Sequence, residues 1–313
     1  MITSFFKTSK PIQYIIFLIV LICVFVYQRT IAVDYEVNLI NTLKELGYFS
    51  LVLASFFTLI FIATKNKLTN KNSFAELYFC LFIGLIPSCI GTNPILVSNF
   101  FVLLSLRRIM SLKTNQNIKK KLLDASMWIC LATLFEPWAI LFFLALFIGM
   151  VFYSVAQIKN SIIPFCGILV VGILLASSQL LTKNVFPNLS EYLPPFNFNA
   201  FSFNYKILEL ESIQFLAIVL FGVVSFILKI VLKNRLKNPT FFVLILAIFI
   251  AFFIVFTTSN HGQAAYLFAV APSAIVLANF SETTQYRWLS DLILGVLLFS
   301  VLLFGLNIPT LFN

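Results

Sequence analysis

Residues 239–257 read PTFFVLILAIFIAFFIVFT, nineteen residues without a charge. An α-helix needs about 17–25 mostly apolar residues to cross the hydrocarbon core of a bilayer. The stretch follows Lys237 and runs into the polar turn Thr257–Gln263, so it reads as one complete crossing. Working outward, the whole chain has this character. Of its 313 residues, 61% are apolar and 10% charged, and the mean hydropathy is +1.02. A soluble domain carries about 25% charged residues. The composition excludes a soluble enzyme and a disordered chain, and it specifies an integral membrane protein.

Ten further apolar runs follow the same logic: Pro11–Tyr27, Leu46–Ala63, Phe74–Ile90, Pro94–Leu106, Leu122–Phe135, Ala139–Gln157, Ser161–Leu181, Ile213–Leu228, Ala264–Phe280 and Leu289–Leu306. The expected fold is all-α, a polytopic transmembrane helical bundle of about eleven spans. It forms a single membrane domain over residues 1–313, with no connection long enough for a soluble domain. Pro94–Leu106 and Leu122–Phe135 are short for a crossing. Either suits half of a re-entrant hairpin buried against protein, which gives nine spans plus a hairpin and leaves the downstream topology intact. The first run resembles a signal peptide, but Gln28-Arg29-Thr30-Ile31 after it holds no small-x-small cleavage site. It reads as an uncleaved first span.

Charge sets the orientation. Lys and Arg near span ends are retained in the cytoplasm. With the N-terminus cytoplasmic, seventeen of the 21 Lys and Arg fall inside, six of them between Arg107 and Lys121. Only Arg29, Lys44, Lys183 and Lys206 fall outside, where Asp34, Glu36, Glu45, Glu136, Glu191, Glu209 and Glu211 also map. The net charge of +10 is thus a mark of topology, and no nucleic-acid partner is expected.

Few residues could carry chemistry. Asp34 and Glu36 follow the first span, a carboxylate pair able to act as general base or to hold a divalent metal; the plain alternative is a solvated loop. Glu136, in the break Glu136-Pro137-Trp138, lies at the outer interface if Leu122–Gln157 crosses twice and within the bilayer if it is re-entrant. An intramembrane acid reads as functional by default, whereas Trp138 beside it suits the interface. His261, the single histidine, sits in a Thr-Thr-Ser-Asn-His-Gly-Gln turn that could shuttle a proton or be turn chemistry alone. One histidine makes no metal site, and none is expected there. Ser73 with Glu76, and Thr42 with Glu45, have capping-box spacing. Asp124 and Asp291 suit first helical turns, and Asp124 could pair with one of Lys119, Lys120 and Lys121. Cys23, Cys80, Cys89, Cys130 and Cys166 lie in apolar runs without a CxxC pair and read as buried small hydrophobes. Arg107, Arg108, Lys119, Lys120 and Lys121 form a basic loop suited to anionic lipid headgroups or a partner protein. No P-loop, GxSxG or HExxH is present.

The stretches SNFFVLLSLRR (98–108), KKKLLDA (119–125) and WICLA (128–132) resemble an uncharacterised family of multi-pass inner-membrane proteins from Bacteroidota, over the whole chain. The resemblance implies a bacterial inner-membrane location without implying an activity. The layout of first span, acidic external loop, many spans with short hairpins and basic inner loop is also similar to the glycosyltransferase C superfamily. That likeness implies sugar transfer from a polyprenyl-phosphate lipid at the outer face. Asp34 or Glu36 then stands at the catalytic position, with His261 and Glu136 lining the site. Arg29, Lys183 and Lys206 are left to contact the substrate phosphate. Two other readings stand beside it: a non-enzymatic subunit or assembly factor of an envelope complex, and a transporter of a lipid or apolar substrate. The orientation is directly testable. A cysteine placed at Lys206 should react with a membrane-impermeant maleimide on intact cells, and one placed at Lys119 should react only after lysis.

Overall fold

The structure, a computed structural model, describes residues 2–32, 39–188, 191–194, 209–232, 239–258, 262–284 and 287–305. Among these residues the regular structure is entirely helical. A short α1 (Ile2–Phe6) precedes α2 (Pro11–Ala32), α3 (Leu39–Lys65), α4 (Phe74–Leu85), α5 (Asn93–Met110), α6 (Ile118–Phe135) and α7 (Phe142–Phe152). The short α8 (Ile158–Ser161) leads into α9 (Ile163–Lys183), α10 (Leu210–Leu232), α11 (Pro239–Thr257), α12 (Leu267–Thr283) and α13 (Arg287–Gly305). Seven helical segments are long and apolar enough to cross a membrane: Pro11–Arg29, Leu39–Lys65, Asn93–Thr114, Ile158–Lys183, Leu210–Leu228, Pro239–Thr257 and Gln263–Thr283. Phe74–Leu85, Pro137–Phe152 and Trp288–Leu303 are apolar but shorter.

The helices have two common ends, named here upper, at Arg29, and lower, at Lys65. The twelve residues of α4 run beside α2. At the lower end Ser73 Oγ donates to Gln13 Oε1 at 2.7 Å, and at the upper end Arg29 Nη1 donates to the Gly91 carbonyl at 3.3 Å. The stretch of α2 between those contacts is about 24 Å long. Helix α4 plus the 3₁₀ turn Pro87–Ile90 gives about 26 Å. The turn makes up the length that the short helix lacks.

The same holds for α6 and α7. Arg108 pairs with Asp124 at the lower end, and Ser98 Oγ donates to the Ala132 carbonyl higher up. Helix α7 then descends from Phe142, whose ring meets Phe268, to Tyr153, whose hydroxyl donates to Thr240 Oγ1 at 3.1 Å.

Helix α12 is the most enclosed of the seven long segments. Its Ala269, Ala271, Ser273, Ala274 and Ala278 let α4, α10 and α11 approach closely, the device by which helices pack where lipid supplies no hydrophobic drive. Above it Phe215 meets Phe82 and Tyr266 edge-on, at 4.7 and 5.7 Å between centroids. Helix α9 is the least enclosed, and Phe165, Leu169 and Ile173 on it face outward. Of the five cysteines, Cys80 and Cys89 are buried and Cys130 is half-buried, whereas Cys23 and Cys166 are exposed on outward faces.

Neither expected capping box forms. The Ser73 hydroxyl is drawn away to Gln13. Helix α3 starts at Leu39, three residues before Thr42, whose hydroxyl donates to the Leu39 carbonyl while Glu45 turns to Arg29. Asp124 pairs with Arg108 and not with the lysines beside it. Asp291 accepts both the amide and the hydroxyl of Thr3, tying α1 to α13. Long-range partners take Ser73, Glu45, Asp124 and Asp291, while the Thr42 hydroxyl is satisfied locally.

Gly167 of α9 lies so close to α6 that a Cβ would fall 2.0 Å from Ser126 Oγ, whereas one on Gly172 would meet nothing within 4 Å. Gly167→Leu should therefore destabilise the protein by about 1–3 kcal/mol. Gly172→Ala should leave stability unchanged or slightly raised. Thermal unfolding in detergent reads both.

Candidate functional site

The upper end is organised around Arg29, in the last turn of α2. Its Nε lies 3.1 Å from Glu45 Oε2 on α3, and its Nη2 donates to Asn93 Oδ1 at 2.6 Å at the start of α5. The guanidinium also stands over the rings of Phe25 and Tyr48, 5.2 and 5.5 Å from their centroids. With the Gly91 carbonyl these contacts engage it from all sides, and the side chain is 10% exposed. Arg29 is nearly enclosed and Glu45 half-buried, so the pair is screened less than one on an open surface. Arg29 thus locks α2, α3 and the start of α5 together.

Three connections at this end share one construction. A helix stops, and a 3₁₀ turn follows: Pro87–Ile90, Pro137–Leu141 and Gly262–Tyr266. Proline suits the first position of such a turn, since its missing N–H would lack a helical acceptor anyway. The first and third turns touch, and Ser88 Oγ donates to Gln263 Oε1 across them. Gly91 lets Gln28 in, since a Cβ there would meet Gln28 Nε2 at 3.2 Å and the Ser88 carbonyl at 3.1 Å.

Glu136 occupies the break between α6 and its 3₁₀ turn, in extended conformation and 1% exposed. Its carboxylate faces the Trp138 backbone amide, where the start of a helical segment favours negative charge. Trp138 is buried against Phe253 and is not a headgroup-facing residue. Glu136 is thus an enclosed acid at the upper end.

The remaining expected residues are dispersed or undescribed. Lys183 is exposed at the end of α9. Asp34, Glu36, Lys206 and His261 lie outside the described residues. The chain on either side of 33–38 carries the Arg29–Glu45 pair, and Gln263 comes two residues after His261, so described residues flanking both segments lie at the upper end. Among the described residues no group of three or more His, Cys, Asp or Glu could hold a metal ion. Of the basic loop, Arg107, Arg108 and Lys121 come together at the lower end, while Lys119 and Lys120 are exposed. Sequence reasoning gave Glu45 a capping role and saw Gln263 only as part of the His261 turn, and it missed Ser88 and Asn93. Each is an ordinary polar residue near a helix end, and only the fold brings them to Arg29 or to one another.

Helices of membrane-spanning length, short helices completed by 3₁₀ turns and a polar upper end define a polytopic helical membrane protein. The chain matches DUF6427, a family of unknown function, over residues 5–312, and it belongs to that family. No curated protein and no solved structure matches it.

The lock at Arg29 has a measurable consequence. Arg29→Met should cost about 1–2 kcal/mol by removing the pair with Glu45 and the hydrogen bonds to Asn93 and Gly91. Adding Glu45→Met should recover part of that loss, and a double-mutant cycle in thermal unfolding reads the coupling.

Proposed function

We propose that this chain works in envelope biogenesis in a bacterial inner membrane, handling a polyprenyl-linked glycan at its upper, outward-facing end as a glycosyltransferase C-like enzyme. The reading has about eleven crossings with the N-terminus in the cytoplasm. The reach of α6 and α7 between the two ends supports a double crossing by residues 122–157 over a re-entrant hairpin. The gathering of Lys65, Arg107, Arg108 and Lys121 at the lower end supports placing that end inside.

One observation carries the functional reading. The enclosed Glu136, the Ser88–Gln263 bridge and the roots of the segments holding Asp34, Glu36 and His261 all lie at the same end. In this reading Asp34 or Glu36 takes the proton of an acceptor hydroxyl as it attacks the sugar, or holds a divalent metal; the polyprenyl phosphate leaves. Lys183 and Lys206 face that phosphate, Glu136 and His261 line the site, and Arg29 anchors the loop that carries the carboxylates.

A second reading, a non-enzymatic subunit of an envelope complex, draws on the same Arg29. With its guanidinium engaged by Glu45, Asn93 and Gly91, one of the three cations assigned to substrate is already occupied. Asp34→Asn and Glu36→Gln discriminate. On the enzyme reading, at least one abolishes the transferred glycan while the protein level in the membrane is unchanged. A normal envelope glycan in both variants overturns the enzyme. A stoichiometric protein partner after mild-detergent purification then supports the subunit.

A further inference from the structure

At the lower end three helices bring four cations together, two of them over one aromatic ring. The Arg107 guanidinium stands 4.0 Å from the Phe61 ring centroid, and the Lys65 ammonium stands 4.9 Å from the same centroid. Lys65 ends α3, and Arg107 lies in the last turn of α5. Lys121, from the first turn of α6, places its ammonium 2.6 Å from the Ser111 carbonyl and 2.6 Å from Thr114 Oγ1. Lys65 and Arg108 both lie near enough to repel it.

Only one of the four has an acid partner among the described residues: Arg108 pairs with Asp124 at 3.0 Å. Residues 233–238 and 285–286, which follow α10 and α12 in the sequence, contain no Asp or Glu. Lys65, Arg107 and Lys121 therefore leave three positive charges without an acid partner among the described residues. A ring face attracts cations but does not neutralise them. Like charges held this close repel unless an anion stands between them.

The surroundings say which anion. One turn deeper on the same face of α3, Phe57 is 54% exposed, an apolar side chain suited to lipid tails. The cations thus stand where an apolar helix surface ends, which is headgroup depth. Long basic side chains reach up to that level from within the bilayer. We propose that Lys65, Arg107 and Lys121 bind the phosphate of an anionic glycerophospholipid in the leaflet facing the lower end, with its acyl chains lying along α3 past Phe57. Arg107 supplies planar paired donors, and Lys121 supplies the ammonium N–H that Ser111 and Thr114 leave free. Lys119 and Lys120, exposed beyond the cluster, are outside the site. The site is independent of the activity proposed for the upper end.

The test uses the purified full-length chain in mild detergent, titrated with dioleoylphosphatidylglycerol or with phosphatidylcholine of the same chains, read by thermal unfolding and native mass spectrometry. Phosphatidylglycerol should raise the unfolding temperature and stay bound as a discrete adduct; phosphatidylcholine should do neither. K65Q/R107Q should weaken the apparent affinity about thirtyfold. K7Q/K10Q removes two exposed lysines from the same end and should change it less than about twofold. Equal losses in the two variants would mean diffuse attraction and overturn the site. Equal protection by inorganic phosphate would overturn the lipid as its ligand. If K65Q/R107Q does not fold, Phe61→Leu keeps every charge but removes the ring that gathers them; it should weaken binding several-fold, and unchanged affinity overturns the proposal.

Discussion

Inside a bilayer there is no water to satisfy a peptide group, and this constraint shapes every break in the chain. A helix can stop at membrane depth only where something else takes up its backbone hydrogen bonds. Here the upper-end breaks are closed by the chain itself. The Ile86 amide donates to the Phe82 carbonyl and the Cys89 amide to that of Ile86. At the second break the Glu136 amide donates to Ala132 and the Ala139 amide to Glu136. The 3₁₀ turns are the cheapest continuation once Pro87 and Pro137 have interrupted α-helical bonding. They also place Ser88, Gly91 and Glu136 at the boundary where polar groups can collect without facing lipid.

The two ends are then built on different principles. At the upper end the Arg29 charge is answered within the protein: Glu45 meets it, and its other donors find Asn93 and a backbone carbonyl. The lower end has both balanced and unbalanced parts. Glu282 receives the Asn70 amide and the side chains of Asn70 and Asn72, so the α3–α4 connection is held to the end of α12 by an acid whose acceptors are filled. A few residues away, the cations around Phe61 have no such partners. The first arrangement rigidifies, and the second leaves a charge for the surroundings to answer.

Much of this was legible in the sequence, because hydropathy and span length are local properties. The uncharged run 239–257 is α11 residue for residue, and the break at Glu136-Pro137 is the end of α6. Where the reading stopped short, charge misled it. The apolar run ending at Leu106 omits the last turn of α5, because Arg107 and Arg108 look like loop residues, although one is held by a ring and the other by Asp124. The start of α3 was placed late because Lys44 and Glu45 interrupt its hydropathy. The Arg29–Asn93 and Ser88–Gln263 contacts join residues 64 and 175 positions apart, so no spacing rule could have paired them. Asp34 and Glu36 were singled out by their position just after the first apolar run, and they lie outside the described residues.

The enclosure of α12 bears on how the protein is made. Synthesis runs from the N-terminus, so this central helix leaves the ribosome after α4, α10 and α11, the helices that surround it. Its neighbours are thus made before the helix they enclose. The small side chains that suit α12 to its slot make it a poor anchor against lipid on its own. Helix α12 therefore joins helices that lie far apart in the order of synthesis, and the packing around it is completed late.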